Sequence, residues 1–201
     1  ITVTGKGSHA AMPHMGIDPI VAASDLVSRL QTIVSRHISP LESAVVSVTM
    51  FNSGEAINVL PESATLRGTV RCLNPLVRDQ VEKILTGYIA SHNESPGLTV
   101  SLAYHRGYPV TKNHAEHAAI IHNVAQTQCA EGHAHYNIQP SMASEDFAFM
   151  LEQCPGAYFW LGVDEEDSVA LHNPYYDFND RVIEVAIQFW CALVKQRLPS
   201  R

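Results

Sequence analysis

The sequence predicts a ferredoxin-like βαββαβ first domain, of α+β character, followed by the C-terminal part of a larger α/β domain. Three observations carry this expectation. A strand-then-helix pattern runs twice through residues 1–110, as a repeat of structure rather than of sequence. The dipeptides Asp18-Pro19 and Asn74-Pro75 open both helical segments with the same device, an N-capping side chain followed by a proline whose fixed φ suits the first helical turn. Beyond Tyr108-Pro109 the pattern changes to long helical stretches around one apolar strand.

In chain order, Thr2 to Thr4 alternate as a short strand. The segment after Asp18 sets Ile20, Val21, Leu26, Val27, Leu30, Ile33 and Val34 on one stripe of a helix. Strands follow near Val45 to Phe51 and at Ala64 to Cys72. In the second, Ala64, Leu66, Gly68, Val70 and Cys72 face one way, and Thr65, Arg67, Thr69 and Arg71 face water. A second helix carries Val77, Val81, Ile84, Leu85, Tyr88 and Ile89, and Leu98, Val100, Leu102 and Tyr104 alternate as a last strand. Two helices covering one face of a four-stranded antiparallel sheet is the split βαβ arrangement. Its exposed edges invite pairing with a second copy, so a homodimer is expected.

Residues 111–201 predict a helix near His114 to Glu131, a His- and Pro-rich loop, a short helix at Glu145 to Gln153, a strand at Ala157 to Val163, an acidic loop, and a helix from Arg181 to Leu198. One strand is too few for a core of its own. The missing sheet strands are expected upstream of Ile1, which itself begins inside a strand.

Composition narrows the function classes. Apolar residues make up 46% and charged residues 16%, an ordinary globular balance. No apolar run approaches the ~20 residues of a membrane span, and no signal peptide is visible. A net charge of −7 without any basic run disfavours nucleic acid. Cys72, Cys129, Cys154 and Cys191 form no CxxC pair, so free thiols in a reducing cytoplasm are expected. Eleven histidines raise the prospect of metal or acid–base chemistry without locating it.

Several segments are candidates for chemistry. In Gly5-Lys6-Gly7-Ser8-His9-Ala10-Ala11-Met12-Pro13-His14, small neighbours leave room for a ligand beside the imidazoles, although a glycine-rich surface turn explains the same residues. Asn58, in Ile57-Asn58-Val59-Leu60-Pro61, is either a turn residue or a polar group in want of partners. Arg67 and Arg71 suit a bidentate carboxylate contact or simply a solvated strand face. Ser144-Glu145-Asp146-Phe147 reads as a helix cap with acidic residues in the first turn. His172, in Leu171-His172-Asn173-Pro174, follows an apolar strand, where open α/β sheets bind ligands and where a metal-ligating His is one possibility. His133 and His135 sit in a polar loop and read as solvent-facing.

Taken in order, GKGSHAAMPH, INVLP with RGTVR, SEDF and LHNPYYDFND resemble the metallopeptidase superfamily of aminoacylases, carboxypeptidases and succinyl-diaminopimelate desuccinylases. The resemblance is strongest to its hippurate-hydrolase, N-acyl-amino-acid amidohydrolase and auxin-conjugate-hydrolase branch. It implies a lid and dimerisation domain at residues 1–110, and the C-terminal segment of a zinc-peptidase catalytic domain at 111–201, the general base and most metal ligands lying elsewhere. Two divalent metal ions are implied, among zinc, manganese, cobalt and nickel. Position by position, His172 matches a late metal ligand, His9 the lid histidine that reaches the partner subunit's site, Asn58 the group that holds the scissile carbonyl, and Arg71 the substrate-carboxylate ligand. Glu145 would line the site. The implied activity is hydrolysis of N-acyl amino acids in a cytoplasmic homodimer. The alternative is a lid and dimerisation module inactive on its own.

Overall fold

The computed structural model describes residues 1–163, 169 and 171–198. The expected acidic loop falls on 164–168, outside the described residues. The chain divides into two compact units, Ile1–Val110 and Thr111–Arg201.

In the first unit the elements are β1 (Thr2–Thr4), β2 (Ser8–His9), α1 (Pro19–Thr32, continued by a π turn at Ile33–His37), β3 (Ala44–Ser53), β4 (Val59–Leu60), β5 (Ser63–Cys72), α2 (Pro75–His92) and β6 (Thr99–Ser101). The main sheet has the order β3-β5-β1-β6, antiparallel at every seam. This is the split βαβ order; β2 and β4 add a separate two-stranded ladder that periodicity does not reveal. Both helices start as their sequences dictate. The Asp18 carboxylate accepts from the backbone N–H of Ile20 at 2.8 Å, and the Asn74 side chain accepts from that of Leu76 at 3.0 Å.

One face of the sheet (Val3, Ala64, Leu66, Val100) packs against Ala23, Leu26, Leu30 and Ile33 of the first helical segment and Val77, Val81, Leu85 and Ile89 of α2. The spacings, three or four residues throughout, put each set on one helical face. The buried stripe of α1 lies further along than expected: Ala23 belongs to it, whereas Ile20 and Val21 in the first turn are exposed. Opposite Gly68, β3 bulges between Val48 and Met50. A Cβ on Gly68 would lie 2.1 Å from the Ser47 carbonyl oxygen, so only glycine permits this approach.

The two sheet edges differ. On β6 the Asn93 carboxamide donates to the Val100 carbonyl at 2.8 Å and accepts the Val100 N–H at 2.5 Å. It takes the hydrogen bonds a further strand would take. At the other edge β3 runs ten residues, pairs only with β5, and exposes Val45, Met50 and Phe51.

The second unit contains α3 (Ala115–Gln128), α4 (Phe147–Gln153) and α5 (Val182–Arg197). The expected strand at Ala157 to Val163 joins no ladder among the described residues. A strand needs a neighbour, and here a side chain substitutes for one: the Asn113 carboxamide accepts the Tyr158 N–H at 2.8 Å and donates to its carbonyl at 2.7 Å. The α5 helix leaves Ile183, Ile187, Trp190 and Val194 exposed at helical spacing, so one whole apolar face meets water. All four cysteines are free, and no helix among the described residues is long and apolar enough to cross a membrane.

Leu30 is 1% exposed in the centre of the first core. Leu30→Ala should therefore lower the stability of that unit by about 2–5 kcal/mol. The loss should register as reduced hydrogen-exchange protection at Val3 and Leu66, with α3 and α5 unaffected.

Candidate functional site

After β1 the chain makes a loop whose form rests on one close approach. Lys6 and Ile17 exchange both backbone hydrogen bonds at 2.9 Å, and a Cβ on Gly5 would lie 2.1 Å from the Ile17 carbonyl oxygen. The loop then pairs through β2 with β4, setting His9 opposite Val59, and the Ala10 N–H donates to the Asn58 carbonyl at 3.0 Å. A tight turn follows: the Met12 N–H donates to the His9 carbonyl at 2.8 Å and the Ala11 N–H donates to His9 Nδ1 at 3.1 Å. Pro13 then starts a single 3-10 turn. His9, on the β2–β4 ladder, and Asn58, in the turn just before β4, are 49 positions apart in sequence and are thus brought close together as exposed residues.

Arg71 does not join them. It is exposed, bonds only locally to the Val70 carbonyl, and stands opposite Val45 near the far end of β5. At about 3.3 Å per residue, the strand between Ser63 and Arg71 separates it from the β2–β4 ladder by roughly 25 Å. Within one chain His9 and Asn58 lie off the Ser63 end of β5, and Arg71 lies near its other end.

In the second unit Ser144 does not cap α4, which begins two residues later than a Ser144 cap requires. The N-cap position falls on Asp146, and the carboxylate of Glu145 before it accepts from the Phe147 N–H at 3.5 Å and from the Tyr158 hydroxyl at 3.2 Å. A hydrogen bond shared with Asp146 holds the Glu145 carboxyl below its usual range, helped by the Phe147 N–H and the Tyr158 hydroxyl. The same bond, reinforced by the charge of Glu145, pushes Asp146 up. Tyr158 is a partner that sequence gave no signal for, since nothing local marks a contact across thirteen positions. Beside α4 lies an open apolar groove of about 520 Å³ with no charged side chain in its wall.

His172 is exposed in a turn and is the non-glycine residue with a left-handed backbone among those described, at φ 69°. Histidine tolerates that region better than most residues, but such a conformation costs energy and is often kept where a side chain must be aimed. Asn173 fixes the following turn by accepting from the Tyr175 N–H and, through its carbonyl, from that of Tyr176. Among the described residues no three His, Cys, Asp or Glu side chains gather as a metal cluster. His133 and His135 are exposed.

The shared hydrogen bond moves the two carboxyls in opposite directions, Asp146 up and Glu145 down. Carboxyl-carbon NMR titration should find Asp146 taking up its proton at a higher pH than a free aspartate and Glu145 at a lower pH than a free glutamate, and Glu145→Gln should return Asp146 toward its free value.

Comparison with known proteins gives these features a common origin. The profile of peptidase family M20/M25/M40 matches residues 5–196. An N-acetyldiaminopimelate deacetylase of Bacillus cytotoxicus is 37% identical over 202 aligned positions, covering 97% of this chain and 51% of the relative. The hippurate hydrolase of Campylobacter jejuni is also 37% identical, covering 98% of this chain and 51% of its own. An N-acetyl-L-cysteine deacetylase of Bacillus subtilis is 34% identical, over 100% of this chain and 47% of the relative. The chain therefore spans about half the length of the curated relatives it matches. Among solved structures, a dinuclear metal binding peptidase of the M20 family from Bacillus subtilis superposes with a TM-score of 0.70 at 25% identity, covering 100% of this chain and 49% of its own. A match across nearly the whole sequence, with relatives well above 30% identity, shows that this chain belongs to peptidase family M20/M25/M40.

Proposed function

We propose that this chain is the lid and C-terminal catalytic segment of a metal-dependent amidohydrolase that cleaves the amide bond of N-acyl amino acids. The observation that carries the reading is chemical: the three relatives are named for removing benzoyl or acetyl groups from amino acids, and each matches at least 97% of this chain. In this reading residues 1–110 form the lid and dimerisation domain. Residues 111–201 form the end of a larger α/β domain whose remaining elements would cover the exposed face of α5.

When bound, a pair of divalent cations supplies an activated water for attack on the amide carbonyl. The residues here have other tasks. His172, exposed and with a left-handed backbone, is one cation ligand. His9 donates a hydrogen bond to the carbonyl oxygen as negative charge develops on it. Asn58, beside it, holds the same carbonyl, and Arg71 binds the substrate carboxylate with its planar guanidinium. Glu145 lines the site. Because the sheet separates His9 and Asn58 from Arg71, no single lid brings all three to one substrate. That supports a homodimer in which His9 serves the partner's site. The open β3 edge, with its exposed Val45, Met50 and Phe51, is the surface suited to that pairing.

In the full-length protein, His172→Ala should cost metal occupancy or at least about 100-fold in turnover of hippurate or an N-acetyl amino acid. His9→Ala should lower kcat by roughly 100- to 1,000-fold with metal content intact. Mixing the two inactive variants under subunit exchange should restore up to about half of wild-type activity per heterodimer. Exchange without recovery would assign His9 to its own subunit or to the fold alone.

A second reading is that this chain by itself is a non-catalytic dimerisation module, and the lack of a three-residue metal cluster among the described residues favours it. Metal analysis of the purified 201-residue chain separates the two: a stoichiometric divalent ion would contradict the module reading.

A further inference from the structure

The Ala11 N–H donates to His9 Nδ1 at 3.1 Å. A nitrogen that accepts a hydrogen bond holds a lone pair, so in the neutral ring the proton must sit on Nε2. The bond is built into the turn. Three consecutive N–H groups are each committed: Ala10 to the Asn58 carbonyl, Ala11 to the ring, and Met12 to the His9 carbonyl. The ring is thereby held against its own backbone, and the ladder to β4 fixes that backbone in turn. His9 is exposed, and Nε2 has no partner among the described residues.

We propose that the Ala11 backbone N–H is a positioning group that fixes His9 as the Nε2–H tautomer, making His9 a hydrogen-bond donor to a carbonyl or carboxylate oxygen. The same bond excludes two other roles. A metal on Nε2 would require the proton to move to Nδ1, where it would face the Ala11 N–H, two donors head to head. A metal on Nδ1 would have to displace that N–H. A general base at Nε2 needs a lone pair there, which this tautomer lacks. The identity of the acceptor as a scissile carbonyl rests on the amidohydrolase reading; the tautomer does not.

The first measurement is on the 201-residue chain labelled with ¹⁵N in its histidine rings and backbone. Well above the ordinary histidine range, at a pH of about 8.5, long-range ¹H–¹⁵N correlation should show an unprotonated Nδ1 and a protonated Nε2 for His9. Its signals are assigned by their loss in His9→Gln. As the pH is lowered and Nδ1 takes a proton, the Ala11 amide resonance should move along the same titration curve as the ring, and that movement should vanish in His9→Gln. A protonated Nδ1, a mixture of tautomers, or an Ala11 amide indifferent to the ring titration would overturn the proposal.

The second measurement concerns the donor role in the full-length enzyme. Glutamine retains an amide N–H donor but offers no basic ring nitrogen, so His9→Gln should keep at least about 10-fold more kcat than His9→Ala, within the 100- to 1,000-fold range of a lost oxyanion donor. Equal loss in both variants would overturn the donor assignment. A parent enzyme inactive on every N-acyl amino acid would defeat the amidohydrolase reading, while the coupled Ala11 and His9 titration would still support the tautomer.

Discussion

The middle of the first sheet is three residues long, and everything around it depends on them. Between β5 and β6 stands only β1, with Val3 fully buried and paired to Ala64 on one side and Val100 on the other. Without this seam β6 would lose its connection to the β3–β5 pair, and the floor beneath the two helices would be cut in two. So short a strand holds its place because β5 beside it runs ten residues and because Val3, Leu26, Leu30 and Leu66 exclude water from one contiguous cluster. The Leu66 N–H also donates to the Ile1 carbonyl at 2.9 Å, extending the seam by one step.

The same seam positions the candidate site. Where β1 ends, the Gly5 N–H donates to the Glu62 carbonyl at 2.9 Å, and the chain leaves the core along Ile17. From there the path to His9 follows backbone bonds, from the Lys6–Ile17 pair to the β2–β4 ladder. The burial of Val3 is linked in this way to the orientation of an exposed imidazole several residues away. This arrangement suits a group that must be aimed and yet remain in contact with a ligand.

Legibility in the sequence follows from how local each cause is. The main strands and both helices of the first unit were readable because alternation and apolar spacing are properties of adjacent residues, and because Asp18-Pro19 and Asn74-Pro75 cap helices through contacts two or three residues away. Ile20 and Val21 misled because a first-turn residue can be apolar without facing the core. The β2–β4 ladder was invisible: two residues have no period. Ala157 to Val163 has a strand's composition, but pairing depends on a neighbour, and the one it finds is an asparagine side chain. The histidine and the asparagine of the candidate site were each readable as residues of interest, whereas their adjacency, and the distance of Arg71 from both, came from a register that no local pattern encodes.

Asn93 uses the same chemistry as Asn113, a carboxamide answering both polar groups of one peptide, but at the rim of a sheet. There it has a consequence for valence. A flat sheet with two open rims can add copies at both ends and grow without limit, as fibres do. With Val100 on the β6 rim answered from within the chain, that rim has fewer open groups to offer than β3, and a sheet with one guarded rim is less prone to such growth.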